Sequence, residues 1–265
     1  MKIKDVVKTL ELFAPLPLQE SYDNSGLQVG LTEAETSRVL LCLDVTEEVI
    51  KYAVAHQCNL IVAHHPLLFK GLKRVGDSTL VERCLRLAIL NDITLYAAHT
   101  NLDNSDGGVS FQIAKKMGLV DVTFLREEGK FNDCPYGSGV IGHLTTPLQS
   151  HDFLALVQNV FQTASFAYSE SQKTEIQKVA ICGGSGDFLI QDAVKQGADA
   201  FITGEIGYHY YHGWESSLWL IATGHYESER YVPELMEQII KREYPQLDTM
   251  VYPHTTSPIK HYKTH

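Results

Sequence analysis

Between residues 38 and 100 the chain alternates apolar runs with amphipathic ones. Arg38-Val-Leu-Leu-Cys-Leu-Asp44 is almost continuously apolar and predicts a strand buried on both faces. Thr46 to His56 carries apolar residues at helical spacing behind a threonine and two acids, and predicts a helix capped at Thr46. Asn59-Leu-Ile-Val-Ala63 predicts a second strand, Leu80 to Asn91 a second amphipathic helix, and residues 93–98 a third strand. Strand and helix in this alternation predict a parallel sheet covered by helices. The opening residues, Met1 to Lys8, read as the start of another amphipathic helix rather than a signal peptide.

The pattern then returns. Val39-Leu-Leu-Cys42 aligns with Val179-Ala-Ile-Cys182, and Ile61-Val-Ala-His-His65 with Phe201-Ile-Thr-Gly-Glu205, both 140 residues apart. A helix is expected between the strands in each copy, at 46–56 and near 187–196. The third strands align at a spacing of 126, where His99-x-x-x-Asp103 meets His225-x-x-x-Glu229. We read this as an internal duplication. The fold class expected is α/β, with two similar units, each a mainly parallel sheet covered by helices. Residues 121–137 read as a polar junction, 139–145 as the start of a new strand, and Ser150 to Phe161 as a capped helix. The expected division is 1–125 for the first unit, open to completion by the C-terminal segment, and 126–265 for the second.

Three of these apolar runs end in chemistry. Residues 59–63 run into His64-His65-Pro66, 93–98 into His99 and Asp103, and 218–224 into His225 and Glu229. Strand ends of an α/β sheet are where ligands bind. Imidazole and carboxylate donors suit zinc, iron, manganese, cobalt or nickel. Side chains of successive residues on extended backbone diverge, so His64 and His65 would each take one ion of a pair. A carboxylate, Asp103 or Glu229, would bridge the two ions, as in two-metal hydrolases. His64, His65, Asp103, His225 and Glu229 then give five ligands and leave open positions. His209 and His212 form a His-x-x-His pair in an aromatic setting, where packing explains them as well as metal does. His56, His143, His151, His254, His261 and His265 read as surface residues.

Composition narrows the partners. The net charge of −10 argues against general nucleic-acid binding, which needs Lys and Arg against phosphate. No apolar stretch is long enough for a membrane span. Five cysteines without a CxxC pair argue against a disulfide framework and point to a reducing cytoplasm. They stand apart in sequence from the His endings, which disfavours a thiolate zinc site.

His64-His65-Pro-Leu-Leu-Phe-Lys-Gly-Leu-Lys73, His99-Thr-Asn-Leu-Asp103, Gly204-Glu205 and Gly224-His-Tyr-Glu-Ser-Glu229 resemble the motifs of the dinuclear metal-centre family, the GTP cyclohydrolase type 2 homologues, which are NGG-interacting-factor-like. Tyr22-Asp-Asn-Ser-Gly-Leu-Gln-Val-Gly30 resembles the family's opening motif, with Tyr22 where Trp is common. The resemblance covers about residues 4 to 255, in the short form without an inserted domain. It implies two α/β units, two divalent ions per subunit (Zn, Fe or Mn) in the cleft between them, and a toroidal homohexamer. Carried over by position, the ligands are the same five residues, with Glu229 as the bridge.

Around them, His99 is expected to orient Asp103 or move a proton. Glu205 and Asp44, at strand tips, are candidates for supporting hydrogen bonds. Lys70, Lys73 and Arg74 are phosphate candidates, set against a solvated surface. Gly183-Gly-Ser-Gly186 resembles a phosphate-cradling turn without the lysine of a P-loop. The function expected is metal-dependent hydrolysis of a nucleotide or phosphate-bearing substrate; the alternative is metal handling or ligand binding without turnover.

Overall fold

The computed structural model describes residues 1–260, so His261 and His265 lie outside the described residues. The helices are α1 (Ile3–Phe13), α2 (Glu47–Ala55), α3 (Leu80–Leu90), α4 (Thr100–Asp103), α5 (Val109–Lys116), α6 (Ser150–Phe161), α7 (Ile190–Lys195), α8 (His225–Glu229) and α9 (Val232–Glu243). The strands are β1 (Gly26–Val29), β2 (Arg38–Cys42), β3 (Leu60–Ala63), β4 (Thr94–Ala97), β5 (Leu119–Phe131), β6 (Cys134–Gln149), β7 (Ala167–Tyr168), β8 (Glu175–Ser185), β9 (Ala200–Glu205), β10 (Trp219–Ala222) and β11 (Asp248–Val251). No described helix is long and apolar enough to cross a membrane.

The chain forms two compact units; the boundary falls after residue 101 rather than 125, and the C-terminal segment joins the first unit, a completion the sequence reading left open. Residues 1–101 and 232 onward make the first, and residues 102–231 the second. The first unit has a five-stranded sheet in the order β1-β4-β3-β2-β11. Its strands β2, β3, β4 and β11 run parallel, and β1 closes one edge antiparallel to β4. Every residue of β3 and β4 is buried, which is why these runs carry no polar alternation. Helix α2 begins as its sequence predicts, with the Thr46 hydroxyl accepting from Val49 N–H. Val49, Ile50 and Ala53 of α2 join Cys84, Leu85 and Ala88 of α3 in one core with Leu40, Ile61 and Leu95.

The second unit has a six-stranded sheet in the order β5-β6-β8-β9-β10-β7. Strands β8, β9 and β10 are parallel, and β7 closes one edge antiparallel to β10. The order β7-β10-β9-β8 therefore repeats β1-β4-β3-β2. Register repeats too: Val39 faces Leu60 and Cys42 faces Ala63, while Val179 faces Ala200 and Cys182 faces Thr203. The third strands match at a spacing of 125, since Ala63 faces Ala97 and Thr203 faces Ala222. The spacing of 126 between His99 and His225 thus contains one inserted residue. Gly224 fits that role, with a backbone φ of +102° that side chains resist.

Two sequence expectations are corrected here. The polar stretch 121–137 is a long hairpin, not a junction. Its turn is Asn132-Asp133, both left-handed at φ +49° and +64°, with Phe131 facing Cys134. Strand β5 lies at the sheet edge and is largely exposed, so its residues read as polar. Helix α6 spans Ser150 to Phe161 as expected, but the Ser150 hydroxyl donates to the Lys173 carbonyl and does not cap it.

The domain boundary moved for a related reason. In the repeat, α5-β5 follows α4 as α9-β11 follows α8. Yet α5 and β5 pack with the second unit, while α9 and β11 pack with the first, β11 beside β2. The closing helix and strand of each copy complete the other copy's unit.

Candidate metal centre

In the first unit, β3 delivers His64 and His65 directly at its C-terminal end. His64 N–H donates to the Cys42 carbonyl at 3.1 Å and His65 N–H to the Leu43 carbonyl at 3.0 Å, so both still follow the path of the β2–β3 ladder. His64 is fully buried, and the His65 side chain is 23% exposed. His64 Nδ1 lies 2.7 Å from the Ala98 carbonyl and His65 Nδ1 2.7 Å from Asp44 Oδ1. Neither acceptor carries a hydrogen to give, so Nδ1 holds the proton in both rings and the lone pair sits on Nε2. Asp44 is fixed in turn by the Thr256 hydroxyl at 2.5 Å. This is the second-sphere arrangement found behind metal-ligating histidines.

His99 follows β4 and is held in the same way, by a residue that sequence reasoning had not singled out. Its Nδ1 lies 2.7 Å from Asp23 Oδ1. Asp23 also accepts from the Thr100 amide, the Thr100 hydroxyl and the Ser25 hydroxyl. Burial would raise the Asp23 pKa, but hydrogen bonds from His99 and Thr100 outweigh it and hold the carboxyl well below the usual range. The signal for Asp23 was in the chain: it lies within the Tyr22-to-Gly30 motif. One nitrogen from each of His64, His65 and His99 lies within 4.8 Å of the other two. The sequence reading had tied His99 to Asp103; its hydrogen bond runs instead to Asp23.

The second unit holds Asp103, at the end of α4, and the pair His225 and Glu229 on α8. Helix α8 is a single turn, so His225 at its start and Glu229 at its end share a face, with Nε2 to Oε2 at 3.1 Å. The Glu229 side chain is only 4% exposed. A carboxylate that deep is costly unless cationic charge faces it. His225 Nδ1 is 3.6 Å from Oε2 of the more exposed Glu205. Burial first, then the charges of Asp103 and Glu229, push the Cys182 thiol up and keep it protonated. Cys182 is thus folded in beside two of the acids, and Cys42 lends its carbonyl to His64. The sequence distance between cysteines and His endings was no guide to their places in space.

The run Gly183 to Gly186 does not cradle an anion. Gly183 N–H donates to the Ser110 hydroxyl, Gly184 N–H to the Ser228 hydroxyl and Gly186 N–H to the Thr203 hydroxyl. Its glycines serve close packing instead. A Cβ on Gly184 would lie 2.3 Å from Glu229 Oε1, and one on Gly204 would lie 2.9 Å from the His225 Cα.

Lys70, Lys73 and Arg74 are exposed in the irregular segment after Pro66. The same segment lines an open groove of about 480 Å³ in the first unit, with Asp23, Asn24 and Phe69 on its walls. His209 and His212 are exposed, with ring centres 5.3 and 5.6 Å from that of Tyr208.

A family model described as Duf34/NIF3 (NGG1p interacting factor 3) matches residues 1–258. A Clostridium perfringens protein named GTP cyclohydrolase 1 type 2 homolog is 36% identical over 230 residues, covering 86% of this chain and 87% of that one. The crystal structure of the Staphylococcus aureus protein SA1388 superimposes with a TM-score of 0.88 at 28% identity, over 99% of both chains. A Bacillus cereus protein related to NIF3 has the same fold, with a TM-score of 0.88 at 21% identity over 99% of both chains.

Proposed function

The chain belongs to the Duf34/NIF3 family, and on that premise we propose that it is a metal-dependent hydrolase whose two divalent ions (zinc, iron or manganese) are held by His64, His65, Asp103, His225 and Glu229, with Glu229 as the bridge. The observation that carries this reading is the anchoring of imidazole Nδ1 atoms on the Ala98 carbonyl and the Asp44 carboxylate, which turns a lone pair on His64 and His65 towards a cation. The buried Glu229 carboxylate, paired with His225 across one helical turn, supports it from the second unit.

Bound ions would supply a water of lowered pKa and charge to stabilise an oxyanion. The protein's own residues do the rest. Asp44 and Ala98 fix the rings, and the packing of Gly184 against Glu229 fixes the carboxylate. Lys70, Lys73 and Arg74 offer cationic donors to a phosphate-bearing substrate, and Phe69 offers the groove an aromatic wall. The substrate class is a nucleotide or a phosphate-bearing small molecule; GTP is the instance suggested by the name of the Clostridium perfringens relative. The working form is a homohexamer.

Elemental analysis of chelator-free protein tests this reading, beside His65→Ala and Glu229→Ala. About two ions per subunit in the wild type, lost in part or whole in both variants, is the expected result. Nucleotide hydrolysis that follows metal content then establishes turnover. Metal that binds and passes quickly to an acceptor, with no hydrolysis of any nucleotide, would instead establish metal delivery.

A further inference from the structure

We infer that the turn after β9, Gly207 to Gly213, is an aromatic platform that takes a planar heterocycle of the substrate, with Tyr208 and Tyr210 as its stacking faces. The inference rests on the hydrolase reading for the reacting end of that substrate and adds a binding face for its base.

The first argument is exposure. From Tyr208 to His212 the exposed side chains are Tyr208, His209, Tyr210 and His212. Tyr208 is 75% exposed and Tyr210 55%. The turn is nevertheless anchored, because Ile206, Tyr211 and Trp214 pack against the core of the second unit. The inward residues fix the turn, and folding leaves the outward rings unexplained. Single exposed apolar residues are ordinary, whereas a contiguous group of exposed rings marks a binding surface.

The second argument is the way the rings are held. Trp214 Nε1 donates to the Tyr210 carbonyl at 2.9 Å, and Tyr210 N–H donates to the Gly207 carbonyl at 2.9 Å. Gly207 N–H donates in turn to Asp187 Oδ2 at 3.2 Å. Gly207 has a φ of −64°, which any residue adopts, yet a Cβ there would lie 3.1 Å from Cδ2 of Tyr210. The glycine therefore serves the ring, which rests on bare backbone while staying more than half exposed. The imidazoles of His209 and His212 stand near-perpendicular to the Tyr208 ring, at 80° and 77°, and brace it. Aromatic side chains held in this way give contact area at low entropic cost.

The third argument selects the occupant. The turn leaves the C-terminal end of β9, the end at which α/β sheets bind ligands. Glu205 closes that strand with Oε2 3.6 Å from His225 Nδ1. Tyr208 is three residues further on, so its Cα lies within about 11 Å of that of Glu205, a separation that a single nucleotide covers. No exposed side chain from Tyr208 to His212 is aliphatic, which favours a flat ring over an aliphatic partner surface. A base presents a π-face to a tyrosine, and phenol and imidazole groups add hydrogen bonds to its edge. Neither histidine belongs to a metal-binding group among the described residues.

Isothermal titration of full-length protein, as purified, with GMP and with ribose 5-phosphate tests the inference. It reads binding rather than turnover, so failure of the hydrolase reading leaves the result interpretable. GMP should bind about 5-fold or more tightly than ribose 5-phosphate. Tyr208→Ala and Tyr210→Ala should each weaken GMP by about 5–150-fold, the range for one stacked base, and leave ribose 5-phosphate unchanged. Tyr210→Phe, which keeps the stacking face, should hold the wild-type affinity, and metal content should stay the same in all three variants. A thermal melt checks folding; if Tyr210→Ala does not fold, the more exposed Tyr208→Ala decides by the same titration. Equal affinities for GMP and ribose 5-phosphate, no binding of either, or wild-type GMP affinity in the folded alanine variants would overturn the inference. A lower molecular mass of those variants in solution, with GMP binding intact, would overturn it too and assign the turn to a contact between copies.

Discussion

Gly184 is where one absent side chain decides the position of another. It sits at φ +63°, and an added Cβ would lie 2.3 Å from Glu229 Oε1. Gly184→Ala should cost about 1–2 kcal/mol for the left-handed backbone. The clash itself falls on the carboxylate end of Glu229 rather than on backbone, so metal binding should suffer more than folding. Denaturant midpoints and metal content measured on the same preparation separate the two; an unchanged metal content would show that Glu229 does not depend on this packing. At this scale the sequence was legible where partners are near in chain or strand register. Asp44 closes the strand whose ladder His65 continues, and a supporting hydrogen bond from Asp44 was expected without its partner being named. Asp23 and His99 are 76 residues apart, and an aspartate before Asn-Ser-Gly has an ordinary turn role that hides any other.

The hairpin of β5 and β6 shows how an element can be misread when only one of its faces is buried. A strand at a sheet edge needs no apolar run, and its turn residues resemble those of a linker. The test lies in the turn. Asp133 at φ +64° tolerates glycine, so Asp133→Gly should be neutral or stabilising by up to about 1 kcal/mol. Asp133→Val, β-branched in a left-handed position, should destabilise by about 1–2 kcal/mol. Equal melting temperatures for the two variants would mean that the turn adopts another conformation. The parallel strands were legible because full burial on both faces leaves near-continuous apolar runs. Their duplication was legible as well, but the one-residue insertion at Gly224 was not. Matching His99 to His225 hides a slip that only the strand register exposes.

For the whole molecule, the exchange of closing segments explains why no linker marks the boundary between units. Composition changes at linkers, and this chain passes from one unit to the other inside α4 and again before α9. Without residues 232 onward, β2 would lose its parallel partner β11, and the first unit would lose the core residues Leu235, Met236, Ile239 and Ile240. A chain ending at Tyr231 should therefore keep the second unit folded and lose the first. Limited proteolysis should then yield a resistant fragment near 102–231; equal resistance of residues 1–101 would contradict the assignment. The same arrangement sets an order of events on the ribosome. All of the second unit has been translated once Tyr231 has left the peptidyl-transferase centre, while the first, though it was begun earlier, still lacks α9 and β11. The unit that carries His64, His65 and His99 is the last to close, and a nascent chain stalled before β11 would carry those three imidazoles on an unfinished sheet.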